Sequence, residues 1–214
     1  MVKSEQQFRN ALAHELSFIG EQVSLEPMQL SHVNDLNIAA ADGELWRLSV
    51  TSIPKEEGML AYVEHALRQR EDGHELPFVV RRLSDDRIVG TTRYYQIKPE
   101  HRNFSIGFTW YSESAQRTGI NTEAKLMLLQ HAFESAGCIS VQWHTYHGNK
   151  RSQAALLRLG ASFEGVLRNH MILADGRIRH THCFSMLDLE WSDSKSYLLQ
   201  RLKKYSRKSI QSTD

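Results

Sequence analysis

The stretch Gln116-Arg117-Thr118-Gly119-Ile120-Asn121-Thr122 combines the donors and the backbone freedom needed to hold an anion. It lies between a strand-like run and a helical run, and a helix N-terminus offers unpaired N–H groups and about half a positive charge. Gly119 permits close approach of a ligand to the chain, while Arg117 and Thr118 add donors suited to phosphate oxygens, so a pyrophosphate would fit. The same residues also read as a plain strand-to-helix turn with Thr122 as its N-cap. Neither G-x-G-x-x-G nor G-x-x-x-x-G-K-[ST] occurs, which removes the dinucleotide and P-loop readings.

Metal chemistry has less support. Eleven histidines are present, with His180 and His182 on one face of a strand and His144 and His147 near a strand end. No H-E-x-x-H and no paired Cys-His signature accompanies them, so no metal is expected. Trp110, Trp143, Tyr94, Tyr95, Tyr111 and Tyr146 could line a substrate pocket or fill a core. Residues 194–210 carry six basic side chains and no acidic one, with Leu198, Leu202 and Tyr205 at helical spacing. That basic amphipathic helix either docks to RNA or a ribosomal surface, or packs on the domain with a solvated basic face.

The elements that must position these residues follow from apolar periodicity. Residues 23–25 alternate as a strand, and Ser31 is placed to cap a helix carrying Val33, Leu36 and Ala40. Pro54 precedes an acidic first turn, and Met59, Val63, Ala66 and Leu67 share one face of a second helix closed by Gly73. Strand-like runs at 78–83, 88–97 and 104–111 are separated by polar turns, which predicts an antiparallel meander. A helix at 122–136 ends at Gly137, a strand alternates over 139–145, and a short helix at 152–159 ends at Gly160. A hairpin of strands 162–173 and 178–191 turns at Ala174-Asp175-Gly176. The central strand-helix-strand crossover implies one parallel pair in an otherwise antiparallel sheet.

The 214 residues suit one folded domain, divided as an N-terminal extension 1–19, a main domain 20–192 and a basic tail 193–214. With 41% hydrophobic and 24% charged residues, disorder and disulfide scaffolds are excluded. A net charge of +1 demands no polyanionic or membrane partner. Cys138 and Cys183 lack redox or zinc spacing and read as buried thiols. With no apolar leader and no spanning stretch, the expected compartment is the cytoplasm.

The loop resembles the [QR]-x-x-G-x-[GA] pyrophosphate motif of the GNAT acyltransferase superfamily, written here as Gln116, Gly119 and, off pattern, Asn121. The segments Ile106-Gly107-Phe108-Thr109-Trp110 and Asn121-Thr122-Glu123-Ala124-Lys125 are similar in order to RimJ/RimL-type N-acetyltransferases. So are the pair Asn149 and Ser152 and the run Leu159-Gly160-Ala161-Ser162-Phe163-Glu164-Gly165, so that the likeness covers residues 20–191. The resemblance implies a mixed α/β fold: a mostly antiparallel sheet of about seven strands with a splayed central parallel pair and about four packed helices. It further implies acetyl-CoA as acyl donor and an amine acceptor, either a protein N-terminus or a small molecule such as a polyamine or amino-sugar. A module that binds acyl-CoA or RNA without turnover is the competing class.

By that resemblance, Phe108, Thr109 and Trp110 offer backbone groups to the pantetheine, Gln116 through Thr122 hold the pyrophosphate, and Asn149 contacts the pantetheine arm. Many relatives protonate the leaving thiolate with a tyrosine seven residues after the asparagine. Leu156 stands there; RimL-like members instead carry a serine three residues after the asparagine, and the match at Ser152 implies that it donates a hydrogen bond or proton to the departing sulfur, alongside its alternative as a helix N-cap. Where relatives often place an acidic base just before the Ile-Gly, this chain has Ser105, which leaves Glu113, His144 or His147 as general base. Glu123 reads as a favourable first-turn charge.

Overall fold

Runs rich in β-branched and aromatic residues assemble into one sheet. The computed structural model describes residues 4–13, 15–51, 53–173 and 175–211. Among these, eight strands join in the order β1-β2-β3-β4-β5-β6-β8-β7. They are β1 (Phe18–Ile19), β2 (Val23–Pro27), β3 (Glu75–Arg82), β4 (Arg87–Lys98), β5 (Asn103–Tyr111), β6 (Ser140–Tyr146), β7 (Ser162–Ile172) and β8 (Ile178–Leu187). Every neighbouring pair is antiparallel except β5 and β6, which run parallel as the crossover requires.

The helices of the described chain are α1 (Glu5–Ala11), α2 (Val33–Ala41), α3 (Glu56–Glu71), α4 (Ile120–Gln130), α5 (Lys150–Leu159) and α6 (Trp191–Gln211). They sort onto the two faces of the sheet by their apolar stripes. Leu36 and Ala40 of α2 and Met59, Val63 and Ala66 of α3 pack on Val79, Ile88 and Trp110 of one face. Ala124, Leu128 and Leu129 of α4, Leu156 and Leu159 of α5, and Trp191 and Leu198 of α6 cover the other. The aromatics resolve the same way: Trp110 and Trp143 are buried in core clusters.

Several boundaries differ from the sequence expectation, each for a local reason. Ser31 does not cap α2, because a 3₁₀ turn at Leu30–His32 precedes that helix. Thr122 is not an N-cap either, since α4 already starts at Ile120 with Gly119 in the cap position. Nor is Ser152, because α5 starts at Lys150 behind Asn149. The last strand stops at Leu187, where a 3₁₀ turn leads into α6. Short β1 and α1 add a strand and a helix to the expected set; Phe8 of α1 is fully buried against the sheet. Cys138 is buried but Cys183 only half so. Ala174 of the expected hairpin turn lies outside the described residues.

Candidate functional site

The parallel ladder between β5 and β6 is short: Asn103 faces Ser140, Phe104 faces Val141 and Ser105 faces Gln142, and there it ends. Beyond it β5 continues to Tyr111 and β6 to Tyr146, so the two strands diverge as a wedge. The cause sits in β5. Its pairing with β4 jumps from Thr91 opposite Trp110 to Arg93 opposite Gly107, so β5 carries one extra residue, and Phe108 adopts φ +50°. A bulge of this kind bends its strand and increases twist, which turns the end of β5 away from β6. The edge of β5 from Ile106 onward, including Phe108, Thr109 and Trp110, therefore faces the wedge without a ladder.

The anion loop lies just past the end of β5. Gln116 donates through Nε2 to the Tyr111 carbonyl at 2.8 Å and accepts from Arg151 Nη2 at 2.9 Å, which ties the loop to both β5 and α5. The Thr118 hydroxyl donates to the Ala115 carbonyl at 2.7 Å and accepts from Ile120 N at 3.3 Å. Gly119 has an ordinary φ of −70°, so its need is space: a Cβ there would lie 2.6 Å from the Gln22 side-chain amide. Within α4 the first intrahelical bond is made by Glu123 N to the Gly119 carbonyl, so the helix itself cannot satisfy the N–H groups of Asn121 and Thr122. Arg117 is exposed beside them. Glu123, beyond its first-turn charge, accepts from the N–H groups of Glu21, Gln22 and Val23 at 2.7, 2.8 and 3.1 Å, mooring the β1–β2 turn to α4.

Across the wedge, Asn149 caps α5 by accepting from Ser152 N at 3.0 Å. That bond uses the Ser152 backbone, not its hydroxyl. His144, half-buried on β6, has its Nδ1 3.1 Å from the Tyr95 hydroxyl. Burial lowers its pKa from the usual histidine range, disfavouring the charged ring. His147 is engaged with the neighbouring strand, accepting from His180 N at its Nδ1 at 3.3 Å. Glu113 is exposed in the 3₁₀ turn beyond the end of β5, with its backbone N–H donating to the Asp42 carbonyl after α2.

Two buried groups have surroundings the sequence did not reveal, Arg93 having read as a surface arginine that could reach a carboxylate. Lys125 of α4 donates to the hydroxyls of Thr109 at 2.8 Å and Thr92 at 3.1 Å, and desolvation pulls its pKa down to about 7. Arg93 is fully buried between the rings of Tyr62 and Phe108 and donates to Glu75 Oε2 at 2.8 Å. Only an unexpected lysine on the apolar stripe of α4 hinted at the first. Among the described residues, no three His, Cys, Asp or Glu side chains are grouped to hold a metal.

The chain belongs to the Acetyltransferase (GNAT) domain family, whose model matches residues 22–162. A curated relative, the uncharacterized N-acetyltransferase YoaA of Bacillus subtilis, is 26% identical over 106 residues, 50% of this chain. The match spans 58% of that relative's length. A GCN5-related N-acetyltransferase from Brucella melitensis superimposes with a TM-score of 0.78 at 27% identity, over 88% of this chain and 86% of that one. RimJ of Mycobacterium smegmatis, solved with CoA-disulfide, shares the fold with a TM-score of 0.69 at 20% identity, over 84% of this chain and 88% of that one.

Proposed function

We propose that the chain transfers an acetyl group from acetyl-CoA to a primary amine by direct attack in a ternary complex, with a protein N-terminal α-amine as acceptor. The observation that carries this reading is the β5–β6 wedge, whose open β5 edge leads straight to the Gln116–Thr122 loop. Pantetheine amides would bond along Phe108–Trp110 as an added strand does, and the pyrophosphate would meet the N–H groups at the start of α4. Asn149 closes the other wall. Ser152 gives its hydroxyl proton to the departing thiolate. RimJ, with its bound CoA-disulfide, supports the choice of donor.

An α-amine has a pKa near 7.7–8.0, against about 10.4 for lysine, so a sizeable fraction is already nucleophilic at neutral pH. A weakly basic, half-buried imidazole such as His144 is matched to that acceptor. The reading has the reaction run in the cytoplasm.

Calorimetric titration with acetyl-CoA tests it, beside the same titration of Gly119→Trp, whose ring would occupy the loop. Micromolar binding that the substitution abolishes, with the variant still unfolding in one cooperative transition, is the expected result. Absence of heat and of thermal stabilisation at millimolar acetyl-CoA would overturn the proposal. Release of CoA with N-terminal peptides, rather than with polyamines or amino-sugars, then supports the protein acceptor; the reverse assigns a small molecule.

A further inference from the structure

Arg93 lies on β4 opposite Gly107 of β5, and its side chain leaves the sheet on the face away from Lys125: Thr92 and Thr109 turn to α4, Arg93 to α3. One guanidinium nitrogen, Nη1, donates to Glu75 Oε2 at 2.8 Å. The other two, Nε and Nη2, are buried and make no hydrogen bond among the described residues. Together they form the side-on edge of the group, whose parallel N–H bonds match the two oxygens of a carboxylate. The chain uses that edge so elsewhere. Arg81 grips Glu26 through Nε and Nη2 at 2.8 and 3.1 Å, and Arg82 grips Asp85 through the same pair at 2.8 and 2.6 Å. Arg81 also turns its Nη1 to a second acidic residue, Asp86, as Arg93 turns its own to Glu75.

A guanidinium cannot shed its proton, and a buried donor without an acceptor is costly, so half of Arg93 is held at a disadvantage to the fold. Its orientation is nevertheless fixed. The plane sits between the rings of Tyr62 on α3 and Phe108 on β5, with centroids 4.5 and 4.4 Å from Cζ. The Tyr62 hydroxyl, borne by one of those rings, is a third buried group without a hydrogen-bond partner among the described residues. Three donor groups therefore lack an acceptor beside the open β5 edge, a demand that a two-oxygen anion meets. Phe108 is the outer wall of the clamp: it is 45% exposed, so swinging its ring aside uncovers the guanidinium without moving α3.

We propose that Arg93, with the Tyr62 hydroxyl, selects the acceptor by binding a carboxylate that the acetylated amine carries. This rests on the function proposed above, in which the pyrophosphate of the donor lies at the start of α4. Direct attack then brings the acceptor to the other face of β5, where Phe108 and Arg93 lie. Two sources supply such a carboxylate: an Asp or Glu side chain close behind a protein N-terminus, or the α-carboxylate of a free amino acid.

Release of CoA from acetyl-CoA tests this with peptides carrying Asp or Glu within their first three residues, beside the same peptides with Asn or Gln. Free alanine, serine and glutamate beside their α-amides form the second arm. Wild type is expected to favour acid over amide about ten- to hundredfold in kcat/KM, mainly through KM. A preference seen in the peptides assigns the side-chain carboxylate, and one seen in the amino acids assigns the α-carboxylate. Arg93→Lys keeps a cation beside Glu75 but has no side-on edge, so the preference is expected to vanish. Tyr62→Phe keeps the stacking ring, tests the site even where lysine at position 93 prevents folding, and is expected to reduce the preference several-fold. Equal rates for acids and amides in wild type, or either variant retaining the full preference, would overturn the proposal. So would an Arg93-dependent preference for succinyl-CoA over acetyl-CoA, which places the carboxylate on the donor. Wild-type protein that binds no acetyl-CoA fails differently, because that result sinks the acetyltransferase function itself.

Discussion

Lys125 holds a cationic group in the core beside two threonine hydroxyls, not a carboxylate, and its pKa falls from 10.5 to about 7. A folded-state pKa below the unfolded one means that between about 7 and 10.4 the unfolded chain binds the extra proton. Stability therefore rises with pH through that window and is lowest below it, by an amount of the order of 5 kcal/mol at about 1.4 kcal/mol per unit. Lys125→Met removes the titration. Urea unfolding at pH 7 and pH 10 should show wild type gaining stability with pH and the variant holding level by comparison; parallel changes in both would refute this. The sequence placed Lys125 correctly on α4 but gave no sign that the opposite strands offer it only hydroxyls. The Asn149–Ser152 spacing was legible because it is local, while Tyr95 and His144 meet across β5 only because Gly107 leaves the gap.

Elements were legible in proportion to how far their signals are local. Helices α3, α4 and α5 announce themselves by apolar spacing and terminal glycines, and the meander β3–β5 by alternation between polar turns. Caps were misplaced at α2, α4 and α5, since Ser31, Thr122 and Ser152 are good capping types whose roles passed to other residues nearby. The wedge was expected only from family resemblance; the bulge that opens it has no composition of its own. What fixes the N-terminus of α4 is a long-range tie, three backbone N–H groups of the β1–β2 turn on the Glu123 carboxylate. Glu123→Gln replaces one accepting oxygen by a donor and sets it against N–H groups, at a cost of about 1–3 kcal/mol. Since Gln22 of that turn lies against Gly119, the loosened turn should also weaken acetyl-CoA binding several-fold in a calorimetric titration. Unchanged affinity with lowered stability would confine the tie to folding.

At the scale of the whole molecule, the wedge and the C-terminal helix sit on a common support, α4, but use different parts of it. The start of α4 faces the anion loop, while α6 lies along its side with Leu198 buried in the same core as Leu128 and Leu129. Trp191 Nε1 and Lys195 Nζ both donate to Glu134 Oε1 at 2.7 Å, so the basic helix is packed and pinned, with Lys203 and Lys204 exposed. The side chains of Arg207 and Lys208 lie outside the described ones. Leu198→Ala empties a core position and should cost about 2–5 kcal/mol. Ligand linkage adds a separate quantity: acetyl-CoA at a hundred times its Kd raises stability by about 2.7 kcal/mol. Sites held apart by a rigid helix contribute additively. Thermal unfolding of Leu198→Ala with and without acetyl-CoA should therefore start lower than wild type yet show the same ligand-induced gain, whereas Gly119→Trp should lose the gain. A Leu198→Ala protein whose acetyl-CoA affinity falls along with its stability would mean that α6, through α4, helps hold the anion loop in its binding shape.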